Sequence, residues 1–509
     1  MAKDDLAVDD GLRSAIAAAS QKMRAPVTGM PERTVRDRIR AHRLFLSALG
    51  VATLLRIIAM VGYGPSMWFS DSFTYVHVAL HPGPDPIRPS GYGLLLLLLR
   101  PFHSFALVTG VQHLMGLGTA VMIYLLLRRR FGLPGWGATL AAVPIMFDSY
   151  QIQLEQLILS DAPFIFLIVA AITVLLWRDR PSWRAGAAAG GLLSLAALTR
   201  SLGLAVIVAA VGYLLVRRVR LRTIGAVLAA AALPLSMYAG WFYAEHGKVA
   251  LTRSDGVFLY VRVMAFADCN KIDPPVQELP LCTTTPPDKR PPSQNYLWAR
   301  DAPLHRLPDL TFSAGQNTLA GDFAERAILA QPGDYLRVVA KDFFRVFQWN
   351  RTVYPDYATF NRYRFGTRPD DLGQWSVTPN TTAAQEAAAY ERGPAHTKIV
   401  EPFAAVMRGY QAVFRLPGTL LGVILLIGLF PVRRRTGRRA RFWQSVTGAA
   451  LLPWITSVGL LLAPAATAEF DYRYILPAVP LACIAAALTF ARPSADSVIG
   501  EERAASTAS

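Results

Sequence analysis

The sequence predicts an all-α polytopic membrane protein of about ten transmembrane helices with a small external domain of mixed structure. Three observations predict it. Of 509 residues, 53% are hydrophobic and 17% charged, and the mean hydropathy is +0.30, too apolar for a soluble or disordered chain. Apolar runs long enough to cross a bilayer, roughly 20 residues each, recur along the chain. The basic residues sit in clusters between those runs. Lys+Arg total 52 against 35 Asp+Glu, a net +17. In a soluble protein that excess would suggest nucleic acid. Clustered at span ends, it reports membrane orientation and contact with anionic headgroups, so nucleic acid is not an expected partner.

In chain order, residues 1–43 are polar, carry charges of both signs and end in Arg33, Arg36, Arg38, Arg40 and Arg43. No apolar core follows a short basic region, so they read as a cytoplasmic tail rather than a cleavable signal peptide. Residues 44–243 form an amino-terminal transmembrane module, with spans expected near 44–63, 105–127, 133–147, 158–177, 185–199, 202–216 and 223–243. The fifth and sixth make a tight hairpin around Arg200 that also suits a re-entrant loop. Clusters at Arg128, Arg178 and Arg217 all fall on the cytoplasmic side if the amino terminus is inside. The short loop 148–157 on the opposite side has Asp148 and Glu155 but no Lys or Arg, so the positive-inside rule is met throughout. The plasma membrane is the expected location.

This topology puts residues 244–402 outside the cytoplasm. They are rich in Pro, Asp, Arg and aromatic residues, too polar to span and too aromatic for a plain linker. A carboxy-terminal module, 403–492, carries spans near 413–430, 442–463 and 474–490, the first two separated by Arg433, Arg434, Arg435, Arg438, Arg439 and Arg441. A cytoplasmic tail, 493–509, follows. Of three cysteines, Cys269 and Cys282 lie thirteen positions apart in the external block, where an oxidising compartment favours a disulfide. No internal repeat is evident.

The first external loop, 64–104, is too long and too patterned to be only a connector, and two helices are expected in it. Asp71 opens the first, either as its cap or as a functional carboxylate. Asp161, followed by Pro163, has the same two readings at the outer mouth of a span, where an ionisable group is a functional candidate. Arg200 and Arg473 stand at external span ends, against the charge asymmetry that explains the other arginines. Each suits either snorkelling to headgroups or bidentate binding of a phosphate. His77 and His81 share a helical face at a spacing that a metal permits, but no further ligand is placed, and a surface pair is the expected reading. No phosphate-cradling Gly loop, His-Glu-x-x-His or Gly-x-Ser-x-Gly motif is present in a suitable context.

Taken together, Asp71 in a long first loop, RPSGYGLLLLLLRPF leading into a helix, LILSDAPF at an external helix start, LTRSLGL in a hairpin and FDYRYILPAVPL at the last span resemble the GT-C glycosyltransferases. The similarity is to the lipid-phosphosugar-dependent branch of protein O-mannosyltransferases and the aminoarabinose transferase of lipid A, over about 44–261 and 413–491. It implies a GT-C-like fold and inverting transfer of a sugar from a polyprenyl-phosphate donor to an extracytoplasmic glycan, lipid or protein acceptor. Asp71 would be the general base, Asp161 would organise the site, and Arg473 and Arg200 would hold the donor phosphate. Tyr75, Glu155 and Tyr472 are candidate substrate contacts. The sequence departs from many relatives at Ser72, where a second acid often stands, and at Arg88, Pro89 and Ser90, where His-Pro-Pro is common. That leaves a divalent metal cofactor open. The external block, with DGVFLYVRVMAFADC, is similar to sequences of actinobacterial members. The rival classes are a transporter or flippase for a lipid-linked or anionic solute, and a membrane scaffold whose outer domain binds proteins.

Overall fold

The structure, a computed structural model, describes residues 35–369, 372–378, 380–429 and 438–491. The tail before residue 35, the cluster at Arg433, Arg434 and Arg435, and the carboxy-terminal tail lie outside the described residues. The described chain is mainly helical. Helix α1 (Val35–Gly62) leads to two short helices of the first loop, α2 (Ser72–Leu80) and α3 (Gly91–Leu99). Then come α4 (Phe105–Leu125), α5 (Gly135–Phe147), α6 (Ser149–Gln156), α7 (Asp161–Leu176), α8 (Trp183–Thr199), α9 (Gly203–Val216) and α10 (Leu221–His246).

Among the described residues, four stretches are long and apolar enough to cross a bilayer: His42–Gly62, Phe105–Arg130, Leu221–His246 and Gly448–Thr467. A fifth is a pair of helices bent by 57°, Phe403–Val413 and Gly418–Leu429. The other apolar runs of the sequence appear as helices of 10–17 residues, such as Asp161–Leu176 and Gly203–Val216. At 1.5 Å per residue these fall short of a hydrocarbon core of about 30 Å. The difference has a packing cause: α7 is buried on nearly all sides, so its apolarity serves the protein interior. Lipid-facing surface is plain elsewhere, with Leu44, Leu54 and Ile57 of α1 and Leu221, Leu233 and Met237 of α10 exposed. Exposed apolar residues repeated along helices of this length and hydropathy suit a lipid environment. The chain is a multi-pass membrane protein.

Helices α8 and α10 pack closely, and the reason is in the sequence. Gly186 and Gly190 stand four apart on α8, and a Cβ at either would strike the carbonyl oxygen of Thr223 or Val227 on α10. This small-xxx-small seam lets the two backbones touch.

The polar block is two bodies rather than one. Helices α11 (Asp255–Val263), α12 (Ala314–Ala330) and α13 (Pro332–Arg345) belong to a region with its own apolar core, including Val257, Tyr260, Met264, Leu281, Leu297 and Phe323. Cys269 and Cys282 are joined there, with Cα atoms 6.1 Å apart. Beyond residue 346 the chain folds back onto the main core, to which Tyr363, Phe365, Ala387 and Tyr390 contribute. Helix α14 (Ala383–Glu391) packs on α2. Strand content is slight: Ser376–Thr378 pairs with Thr381–Thr382, and Tyr63–Gly64 at the end of α1 pairs antiparallel with Lys398–Ile399. The block thus covers the first loop, with Trp68 Nε1 donating to Ala395 O at 3.0 Å and the Tyr390 hydroxyl to Leu96 O at 2.8 Å. Helices α15 (Phe403–Val413), α16 (Gly418–Leu429), α17 (Arg438–Thr467) and α18 (Ala478–Leu488) complete the chain.

Candidate functional site

Asp71 immediately precedes α2, yet its side chain makes no capping bond. Ser72 Oγ, not Asp71, accepts an N–H at this turn, from Phe69 at 3.0 Å. The capping reading is therefore replaced. The Asp71 carboxylate instead receives two guanidiniums: Arg88 Nη2 lies 2.7 Å from Oδ1 and Arg473 Nη1 2.8 Å from Oδ2. Asp71 is 5% exposed, so these contacts form with little water. Burial alone would raise its pKa, but Arg473 and Arg88 outweigh burial and hold the carboxyl down at about 2. Against an unfolded value near 4, that pairing contributes stability at neutral pH, and the contribution fades as pH falls from about 4 towards about 2.

Each arginine is placed by its own segment. Asp85 Oδ1 accepts the N–H groups of Ile87 and Arg88, both at 2.8 Å, and so turns the chain to aim Arg88 at Asp71. The start of the external block braces this turn, with Arg253 N donating to Pro86 O at 2.7 Å and Ser254 Oγ to Ile87 O at 2.9 Å. Arg473 sits in a single 3₁₀ turn, Tyr472–Ile475, capped by Asp471, whose Oδ1 accepts the Arg473 N–H at 3.2 Å. Asp471 Oδ2 lies 3.4 Å from Arg473 Nε and accepts the Tyr363 hydroxyl at 2.6 Å.

A second acid–arginine pair adjoins the first. Asp161, fully buried at the start of α7, is ion-paired with Arg200 at the end of α8. Its Oδ2 has no hydrogen-bond partner. The guanidinium carbons of Arg200 and Arg473 each lie 5.3 Å from the centre of the Tyr474 ring, which holds the two cations in one cluster. Tyr75 links the halves, its hydroxyl 3.0 Å from Ser160 Oγ beside Asp161. The fold thus gathers Asp71, Tyr75, Asp161, Arg200 and Arg473 from four distant stretches. Three carboxylates, of Asp71, Asp161 and Asp471, face three guanidiniums, of Arg88, Arg200 and Arg473.

Glu155 lies elsewhere, and Tyr472, though next to Arg473 in its turn, directs its hydroxyl to another segment. Glu155 is fully buried against Arg56 of α1, at 2.8 and 3.0 Å, with His113 of α4 at 2.9 Å and Gln151 at 2.9 Å. Arg56 also donates to the carbonyls of Met146 and Ile145. On α4, Gly116 leaves the space for this carboxylate, since a Cβ there would collide with it. The candidate substrate contact at Glu155 is in this structure an internal brace among α1, α4 and α6. Glu155→Ala would leave Arg56 buried without a counter-charge and should cost about 3–5 kcal/mol, read as a lower unfolding temperature of the detergent-solubilised protein. A substrate-contacting Glu155 would instead lose turnover at unchanged stability. Tyr472 is 2% exposed and donates its hydroxyl to Thr352 O at 2.8 Å.

Nothing in the linear sequence marks Arg88 as a partner of Asp71; its position appears there only as a departure from the resembled pattern. The donor set around Asp71 does not suit a divalent cation, because two guanidiniums already face its oxygens and residue 72 supplies only a hydroxyl. Beside this cluster lies a cavity of ≈ 890 Å³ lined in part by Tyr63, Met67, Arg362, Arg364, Arg368 and Arg408. Arg362, which lines the cavity, lies over the ring of Phe69, 5.7 Å from its centre, and Arg473 lies over the same ring at 4.8 Å, so the Phe69 ring links the cavity's edge to the cluster.

Residues 101–252 match the model of the dolichyl-phosphate-mannose-protein mannosyltransferase family. That stretch is the part of the chain similar to the family. It contains Asp161, Arg200 and the Glu155 brace, and it ends just short of Arg253. No curated protein matches the chain. Among solved structures, the Saccharomyces cerevisiae protein O-mannosyltransferase complex bound to its sugar donor is similar at 19% identity, over 43% of this chain and 36% of that one, with a TM-score of 0.33. The Archaeoglobus fulgidus oligosaccharyltransferase AglB, in complex with an inhibitory peptide and a dolichol-phosphate, is similar at 13% identity over 92% and 52%, with a TM-score of 0.37. ArnT from Cupriavidus metallidurans bound to undecaprenyl phosphate is similar at 13% identity over 88% and 77%, with a TM-score of 0.33. The chain spans 36% and 52% of the length of the first two.

Proposed function

We propose that the protein is an inverting glycosyltransferase that moves a sugar from a polyprenyl-phosphate donor to an acceptor hydroxyl on the extracytoplasmic side of the membrane. The observation that carries this is the buried Asp71 carboxylate held by Arg473, beside the Asp161–Arg200 pair, in a chain whose residues 101–252 match a lipid-phosphomannose-dependent family. In the proposed reaction Asp71 takes the proton of the acceptor hydroxyl. The freed oxygen attacks the anomeric carbon from the face opposite the phosphate. The bond from that carbon to the phosphate oxygen breaks, and the lipid phosphate leaves with the electron pair beside Arg473 and Arg200. Base and cations are the two demands of such a displacement.

The ion pair also tunes the base. A carboxylate held at about 2 is a weak proton acceptor at neutral pH. An incoming donor phosphate competes with Asp71 for Arg473, and as the guanidinium turns to the phosphate Asp71 loses its strongest counter-charge and becomes more basic. Donor binding thus prepares the base. The acceptor would reach the cluster through the arginine-lined cavity beyond Phe69, and membrane lipid would surround the donor chain. Mass spectrometry of cell-envelope glycans, glycolipids and glycoproteins with and without the protein tests the activity: one class should lose a single sugar. An unchanged envelope in its absence would contradict it.

The same proposal puts the amino terminus in the cytoplasm and the Asp71 cluster outside. A cysteine at the exposed Asn350 should react with an impermeant thiol reagent added to intact cells, and one at the exposed Arg220 should not. Cys483 is buried and adds no background. Labelling at 220 with none at 350 would invert the topology.

A further inference from the structure

The two histidines of the first loop acquire a partner that lies 305 positions further along the chain. On α2, His77 and His81 stand one helical turn apart, with ring centres 4.9 Å from each other. Facing them is Glu386 of α14, and one donor atom from each of the three lies within 4.8 Å of the others. His77 Nδ1 is 2.7 Å from Glu386 Oε1. Glu386 is only 4% exposed, and its second oxygen, Oε2, is buried without a hydrogen-bond partner. A buried carboxylate oxygen with nothing to satisfy it is costly and calls for an explanation. A hydrogen bond to His77 accounts for one oxygen of Glu386 and leaves both Oε2 and His81 without a role.

We propose that His77, His81 and Glu386 bind a zinc ion that ties helix α2, which begins immediately after Asp71, to helix α14 of the external block. Two imidazoles and one carboxylate are a nitrogen-and-oxygen set that zinc takes at about 2.0–2.2 Å, whereas calcium and magnesium prefer oxygen alone. Their donor atoms already lie within 4.8 Å of one another, and zinc binding would draw them closer by side-chain rotation. Glu386 is steadied by Thr381, whose hydroxyl donates to Oε1 at 3.3 Å, in the manner of the outer contacts that orient metal ligands. His81 is exposed and His77 half-buried, which gives the ion an entry path and leaves its fourth position to water. The site is structural: it fixes the height and rotation of α2, and through them the placement of Asp71. It does not depend on the reaction proposed above, since a metal-bound α2 would follow from these three side chains whatever the cluster at Asp71 does.

The test uses the full chain in detergent, without a polyhistidine tag, stripped with a chelator and titrated with zinc alone. One zinc per chain is expected, with cobalt(II) giving the visible absorption of a low-coordinate site, and zinc should raise the unfolding temperature. His81→Ala should weaken zinc binding at least about tenfold. Because His81 is exposed, the metal-free unfolding temperature should not change. Glu386→Gln should also lose tight zinc binding. Less than one zinc per chain, or equal binding by His81→Ala and the unaltered chain, would overturn the proposal and leave His77 and Glu386 as a simple hydrogen-bonded pair.

Discussion

Asp71→Asn should lower turnover at least about a hundredfold, the lower end of what a positioned general base supplies, while donor binding stays the same or tightens. The asparagine keeps an oxygen that can accept from Arg88 or Arg473, so shape and packing survive, but it cannot take the acceptor's proton. It also frees part of the Arg473 charge for the donor phosphate, which is why affinity should not fall. Turnover is read as release of free polyprenyl phosphate, affinity as binding of the lipid-phosphosugar to the solubilised variant, and folding as the unfolding temperature. Activity within a few fold of the unaltered chain would reduce Asp71 to an anchor for two arginines. A collapse of the unfolding temperature would show instead that the carboxylate is needed to neutralise Arg88 and Arg473. In that case Asp71→Glu, which keeps the charge, should fold and recover part of the turnover.

Arg473→Ala should lose most donor binding and turnover, and Arg473→Lys should keep part of both. Lysine preserves a positive charge but not the planar fork that can hold Asp71 and a phosphate in turn. An arginine that merely snorkels to headgroups would be replaced well by lysine, and the alanine variant would change insertion rather than affinity. The surroundings argue against snorkelling: Arg473 is 8% exposed, packed on Phe69 and Tyr474 and paired with Asp71. Arg200→Ala, measured alongside, separates the roles of the two cations. If only Arg473 matters for affinity, Arg200 serves Asp161 instead.

How much of this was legible from the linear chain differs by residue, and the differences have physical causes. The apolar runs and their basic ends announced a helical membrane protein, because bilayer thickness and membrane potential act on composition directly. Several runs proved shorter than a span, since hydropathy does not distinguish a helix buried in protein, such as α7, from one facing lipid. Asp71, Asp161, Arg200 and Arg473 stood out as ionisable groups at external helix ends, although capping was an equal reading for the two acids and snorkelling for the two arginines. Their pairing did not. Arg88 stands 17 positions from Asp71 in a turn built by Asp85, and no periodicity relates the two. Glu155 read in sequence only as a candidate substrate contact; its bracing role lies in Arg56 and His113, which reach it from two other helices, and in Gly116, which makes room. His77 and His81 showed their spacing at once, but Glu386 reaches them only through the fold of α14 onto α2.

The most direct test of the central claim is a single-turnover experiment with purified protein and a radiolabelled polyprenyl-phosphate sugar in the presence of cell-envelope acceptor, following the anomeric bond. The labelled sugar should move to the acceptor with inverted configuration as free lipid phosphate appears, and Asp71→Asn should bind the donor but leave the bond intact. Donor that is bound or carried across a bilayer with its sugar–phosphate bond unbroken, equally in both proteins, would contradict it.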